Sequence, residues 1–129
     1  MGLNILIVDD SSLTRKAIKR IIDMIDLDAD QVLEAEDGSE ALKILEQEHV
    51  DLVLADLNMP IMTGMEMIYY MRGNESTKSV PVIIVSTESS TARVEKFLAD
   101  GVSDYLHKPF TPEKLKEVIT RTIGVCTND

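Results

Sequence analysis

Four short stretches of this sequence carry groups fit for metal or phosphate chemistry: Asp9-Asp10, Asp56, Ser86-Thr87 and Lys108-Pro109. Carboxylates, a hydroxyl and an ammonium are what hold a hard cation and the oxygens of a transferring phosphoryl group. Gathered in one pocket, Asp9, Asp10 and Asp56 would repel one another, and at least one pKa would rise. A divalent ion relieves that repulsion. Oxygen ligands on short strand ends suit Mg2+, which keeps several waters and takes one or two carboxylates. No His or Cys stands near enough to these acids to suggest zinc. Lys108 can neutralise a carboxylate or bind a phosphoryl group as a point charge. Ser86 adds a hydroxyl donor. Singly, each residue has a plainer reading: Asp10 as a helix cap, Ser86 as a capping hydroxyl, Lys108 as a surface ion pair. Three acids on one edge are too costly for architecture alone. Pro109 directly after Lys108 makes a cis linkage accessible, since only X–Pro bonds adopt one at low cost.

Each stretch follows a short apolar run: Ile5-Leu6-Ile7-Val8, Leu52-Val53-Leu54-Ala55, Val82-Ile83-Ile84-Val85 and Tyr105-Leu106. Near-continuous apolar runs of this length mark parallel strands covered on both faces. Val32-Leu33-Glu34-Ala35 is a weaker strand. The acidic stretch Asp26-Leu27-Asp28-Ala29-Asp30 before it reads as a lengthened surface loop. Helical periodicity fills the gaps. Leu13, Ala17, Ile18, Ile21, Ile22 and Ile25 form one stripe, capped by Ser11 or Ser12. Glu36-Asp37-Gly38-Ser39 leads into a second helix with Ala41, Leu42 and Leu45. Gly64, Met67, Ile68 and Met71 mark a third, with Met65 also toward the core. Val94, Phe97 and Leu98 mark a fourth, closed by Gly101. The fifth has Thr111 as N-cap, Pro112 and Glu113 in its first turn, Leu115, Val118, Ile119 and Ile123 inward, and Gly124 as its stop.

Five strand–helix units suit an open, doubly wound α/β sheet better than a barrel, which needs eight units. Ligands of such sheets bind at the carboxyl ends of the strands, where the four stretches fall. The 129 residues fit a single domain spanning 1–129. A net charge of −10 argues against nucleic acid, and the absence of Trp argues against a base-stacking platform. Cys126 is the sole cysteine, so no internal disulfide is possible. No run is long enough to span a membrane, and the N-terminus lacks a signal layout. Leu6 stands where a myristoylation motif wants Ser or Thr. The expected compartment is the cytoplasm.

The motif set resembles the receiver domain of two-component response regulators. The resemblance rests on Asp9-Asp10, Asp56, Ser86 and Lys108, with the strings Asp56-Leu57-Asn58-Met59-Pro60, Met62-Thr63-Gly64 and Lys108-Pro109-Phe110-Thr111. It spans nearly the whole chain. It is closest to the stand-alone, CheY-type chemotaxis regulators, through Glu34-Ala35-Glu36-Asp37-Gly38 and Asn58-Met59-Pro60. The resemblance implies a five-stranded parallel sheet of order 2-1-3-4-5 with five helices, the flavodoxin-like receiver fold. That order belongs to the family and is not read from the spacing. The resemblance also implies that Asp56 takes a phosphoryl group from a phosphohistidine on a histidine kinase or phosphotransfer domain. Asp10, Asp56 and the backbone carbonyl of Asn58 would hold Mg2+, with Asp9 acting through water. Lys108 and Ser86 would bind the phosphoryl oxygens. Tyr105 matches the aromatic switch position, and the fourth helix, fifth strand and fifth helix would form the readout surface. The implied partner downstream is a protein such as a flagellar motor switch, and the chain is expected to be a monomer. Asn58 and Glu88 occupy positions that tune acyl-phosphate lifetime in the family. Thr87 departs from the usual Ala or Gly, and its bulk is expected to slow phosphoryl entry or hydrolysis.

Other residues carry weaker signals. Arg15, Lys16, Lys19 and Arg20 give the first helix a basic patch, either a kinase-docking face or a solvated one. His49 reads as a surface residue. Strand alternation turns His107 away from the face of Lys108. Competing functions are a phosphorelay intermediate, a receiver cut from a longer regulator, an aspartyl phosphohydrolase, a flavin module and a phosphate-independent interaction domain. Asn58 weakens the hydrolase, because it cannot serve as the general acid usually found two residues after the nucleophile. Asp9-Asp10 would repel a flavin phosphate. The complete acid, lysine and hydroxyl set weighs against a phosphate-independent domain. The protein is not expected to be an enzyme beyond catalysing its own phosphorylation and dephosphorylation.

Overall fold

Five parallel strands in the order β2-β1-β3-β4-β5 form the centre of the computed structural model, which describes residues 2–25 and 27–123. The strands are β1 (Leu3–Val8), β2 (Ala29–Ala35), β3 (Leu52–Asp56), β4 (Val82–Ser86) and β5 (Asp104–His107). Helices α1 (Ser12–Met24), α2 (Gly38–Gln47), α3 (Gly64–Arg72), α4 (Thr91–Ala99) and α5 (Pro112–Ile123) alternate with them. The expected doubly wound α/β sheet is thus observed.

Alternation along each strand splits the interior into two cores. Leu6, Val8, Val53, Ala55, Val82 and Ile84 meet Ala41, Leu45, Met67, Ile68, Met71 and Phe97 from α2, α3 and α4. Ile5, Ile7, Leu52, Leu54, Ile83 and Val85 meet Ile18, Ile22, Leu115, Val118 and Ile119 from α1 and α5. Burying each such side chain stabilises the fold by about 1.5–3 kcal/mol before entropy is counted.

Register sets the functional edge. Val8 pairs with Ala55, so the next residues, Asp9 and Asp56, leave the sheet side by side. Asp56 pairs with Val85 and Ser86 pairs with His107, which brings Ser86 and then Lys108 to the same edge.

Local signals place the helix starts. The Oγ atoms of Ser11 and Ser90 accept from backbone N–H groups three residues on, at 3.2 and 3.4 Å. Asp37 caps α2, and Thr63 with Glu66 closes a reciprocal capping box on α3. Thr111 Oγ1 accepts from the Lys114 N–H at 3.1 Å, as its N-cap reading requires. Gly101 ends α4 at φ 110°, a left-handed conformation that favours glycine. Gly124 and Cys126 lie outside the described residues.

Three expectations need correction. Strand β2 begins at Ala29, so Ala29 and Asp30 belong to the sheet rather than to a loop: Ala29 pairs with Leu3 in the β1 ladder. Asp26 lies outside the described residues. The α1 stripe is narrower than its apolar residues suggest: Leu13 is 79% exposed and Ala17 is exposed. At about 100° per residue, Leu13 lies roughly 140° around the helix from Ile18. The packed line runs instead through Ile18, Ile22 and Ile25. The third correction concerns the basic patch. The Arg15 side chain is only 12% exposed and is held by the protein itself, leaving Lys16, Lys19 and Arg20 as the exposed cations of that face.

Candidate functional site

Asp9, Asp10 and Asp56 converge as the register requires. One carboxylate oxygen from each lies within 4.8 Å of the others. Asp9 is 4% exposed, Asp56 is half-buried and Asp10 is exposed. Asp9 is held firmly: its Oδ1 accepts from the Ser11 N–H at 2.9 Å, and its backbone N–H donates to the Ala35 carbonyl at 3.0 Å. Asp56 Oδ1 accepts from the Leu57 N–H at 2.8 Å.

Lys108 reaches over this cluster from the end of β5. Its Nζ lies 3.7 Å from Asp9 Oδ2 and 3.9 Å from Asp56 Oδ1. Both contacts are loose, so one ammonium is shared between two carboxylates with a third beside them. The Lys108-Pro109 bond is cis. Burial pushes the Asp56 carboxyl above the ordinary aspartate range. Lys108 pulls it back, Asp9 pushes it up again, the Leu57 N–H lowers it and Asp10 adds a last upward push. The rise expected for crowded carboxylates therefore falls on Asp56, and burial is its largest cause.

Gly64 makes this packing possible. A Cβ there would stand 2.5 Å from the Asp56 carbonyl oxygen, so only glycine lets α3 start this close to the end of β3. The Gly64 N–H donates to the Leu57 carbonyl at 3.0 Å. Ile61, in the same loop, has φ 68° and is 83% exposed. A β-branched residue in that region is strained.

Ser86 is buried at the end of β4, and its Oγ accepts from the Glu88 N–H at 3.2 Å. Tyr105 folds over the same loop. Its hydroxyl donates to the Ser86 carbonyl at 3.2 Å and also contacts the Glu88 carbonyl. Its ring stacks on Phe97 of α4, with centroids 6.5 Å apart. Thr87 and Asn58 are exposed beside the cleft. Glu88 pairs with Arg93 at 2.9 Å. His107 is exposed, and His49 is a surface residue 2.9 Å from Asp51.

The comparisons with known proteins converge on one family. The family model described as the response regulator receiver domain matches residues 5–120. This chain belongs to the response regulator receivers. The receiver is 41% identical over 123 residues to a chemotaxis protein CheY homolog of Campylobacter jejuni, covering 95% of this chain and 93% of that one. Its fold superposes on the chemotaxis response regulator CheY4 of Vibrio cholerae with a TM-score of 0.85 at 31% identity, over 95% and 99% of the two chains. It also matches the receiver domain of the sensor histidine kinase PA1611 from Pseudomonas aeruginosa, with a TM-score of 0.83 and 27% identity. That match covers 96% of this chain and 99% of that one, and the PA1611 domain carries a magnesium ion in its active-site cleft. The receiver is therefore a two-component response regulator with a CheY-like chemotaxis role. Such domains are signalling proteins rather than enzymes of the usual kind. Among the described residues no helix is long and apolar enough to cross a membrane.

Two features of the receiver site were not legible in the chain. Gly64 read as part of a helix stripe, and its contact with Asp56 follows only from the approach of α3 to β3. Arg15 reads as a surface cation, although it lies about one turn into the helix that leaves the acid pair.

Proposed function

We propose that this chain, 1–129, is a single receiver that takes a phosphoryl group on Asp56 and signals by protein contact. One observation carries the reading: three carboxylates and Lys108 share one cleft with too little positive charge to balance them. An arriving phosphoryl group adds further negative charge, so the cleft is incomplete without a cation. The donor set is all oxygen and fits Mg2+. Asp10, Asp56 and the Asn58 carbonyl would hold it, with Asp9 acting through water, and the ion would neutralise charge on the transferring group.

The residues of the chain do the rest. Asp56 supplies the attacking oxygen toward the phosphorus of a phosphohistidine. The new O–P bond forms as the P–N bond breaks, and the imidazole leaves toward its kinase or phosphotransfer domain. Lys108, held only loosely by Asp9 and Asp56, is free to turn toward a phosphoryl oxygen. Ser86 donates to another once its Oγ leaves the Glu88 N–H. Tyr105 bridges the backbone of Ser86 and Glu88, so a move of Ser86 disturbs the ring stacked on α4. The surface of α4, β5 and α5 then changes, as a local charge event biases a two-state element. The reading extends to a flagellar motor switch as the target, a cytoplasmic setting and a monomer, as the resemblance to chemotaxis regulators implies.

The test is Mg2+-dependent labelling of the protein by a small acyl-phosphate donor. Asp56→Asn is expected to abolish labelling, and full labelling of that variant would overturn the assignment. Steady release of phosphate from simple esters would instead favour a hydrolase.

A further inference from the structure

Asp10 is the least supported acid of the cluster. Among the described residues no hydrogen bond or ion pair holds its carboxylate, and it is exposed. Its aim is therefore set by its backbone, and above all by the peptide plane that joins it to Asp9. That plane has a visible anchor. Arg15 Nη1 donates to the Asp9 carbonyl oxygen at 2.6 Å. Arg15 Nε donates to Glu34 Oε1 of β2 at 2.9 Å. The guanidinium is a planar fork, so two bonds in different directions fix its orientation. Arg15 is itself seated in α1, its N–H donating to the Ser11 carbonyl at 3.0 Å. The Asp9–Asp10 peptide is thus clamped between α1 and β2.

We infer that Arg15 is a positioning residue for the divalent-cation site, acting with Glu34 as its anchor to fix the peptide plane that aims the Asp10 carboxylate. The inference rests on the reading that Asp9, Asp10 and Asp56 hold Mg2+. Groups that orient a ligand commonly change metal affinity by about 10–100-fold when removed.

Charge and geometry make opposite predictions here. Arg15 is a cation beside a cation site, and removing it leaves Glu34 unpaired. Electrostatics alone would make the Arg15→Met variant bind Mg2+ more tightly. Loss of the clamp would make it bind more weakly. Lysine keeps the charge but cannot reproduce the fork.

The experiment is calorimetric titration of MgCl2 into the whole chain, wild type against Arg15→Met and Arg15→Lys, with the melting temperature of each metal-free protein. The expected result is a Kd raised roughly 10-fold or more in Arg15→Met and by a smaller factor in Arg15→Lys. An unchanged or lower Kd in Arg15→Met overturns the inference. So does a lower melting temperature with fewer binding-competent molecules at unchanged Kd, the mark of a merely structural role. If Arg15→Met does not fold, Arg15→Lys decides: a raised Kd supports the clamp, and a wild-type Kd overturns it. Absence of Mg2+ binding by the wild type would instead remove the metal reading on which the inference stands.

Discussion

Two corners of the molecule hold charge in opposite ways. Where α3 ends, Arg72 donates from Nε and Nη2 to the Gly101 carbonyl at 3.2 and 2.8 Å, and from Nη1 to the Val80 and Lys78 carbonyls at 2.8 and 3.3 Å. Beside it the buried Thr77 hydroxyl donates to the Met71 carbonyl at 2.8 Å. In the acidic cleft, one ammonium stands 3.7 and 3.9 Å from two carboxylates, and a third goes unanswered. The first corner satisfies its polar groups and joins three segments of chain. The second bonds Asp9 and Asp56 to backbone N–H groups but leaves negative charge unbalanced, and burial first, then Asp9 and Asp10, push the Asp56 pKa up. Native proteins keep such frustration where a ligand will relieve it.

Removing the charged side chain should therefore act with opposite signs at the two corners. Arg72→Ala is expected to cost the most, about 3 kcal/mol, since hydrogen bonds to a charged group are worth roughly 1.5–3 kcal/mol each and three carbonyls lose their donor. Urea unfolding would show it, and a loss under about 1 kcal/mol would erase the contrast. Gly64→Ala forces a methyl against the Asp56 carbonyl and is expected to cost about 2 kcal/mol while slowing acyl-phosphate labelling. A destabilised variant with wild-type labelling would separate packing from chemistry.

Neutralising the cleft should stabilise the fold. Asp56 has a raised pKa when folded, so its ionisation above the ordinary aspartate pKa works against the folded state. Asp56→Asn is expected to melt higher than wild type at pH 7 without metal. The gain should shrink as the pH falls through the raised pKa and vanish below the unfolded value, where both states hold the proton. A gain that persisted at low pH would point to packing rather than charge. The smallest effect belongs to Ile61→Gly. It relieves a strained left-handed residue, partly offset by glycine's greater freedom when unfolded, for a net gain under about 1 kcal/mol by thermal melting.

The sheet and most of the site could be read from the chain because apolar runs ending in acids state both burial and chain position. Asp9 and Asp56 meet because the residues before them pair in register. The failures have separate physical causes. The 3.6-residue period counts apolar residues without saying which flank of α1 the sheet covers, so it predicts Leu13 inward although it is exposed. Ala29 and Asp30 looked like loop because an edge strand is half exposed and carries polar residues. Arg15 and Gly64 act through backbone atoms of Asp9 and Asp56, and a backbone atom leaves no trace in residue type.

The sheet that divides the interior has a consequence for how this protein can change. Val53 and Leu54 are covalent neighbours, yet they belong to different cores. Their side chains point through opposite faces and share no apolar surroundings. Substitutions at the two positions should combine almost independently, as distant sites do. Each face can then be rebuilt while the other keeps the strands in register. A lineage could remodel the α2–α3–α4 side, which carries only the α4 part of the readout surface, and leave the α1–α5 side untouched. The cleft, fixed by the ends of the strands, would stay in place throughout.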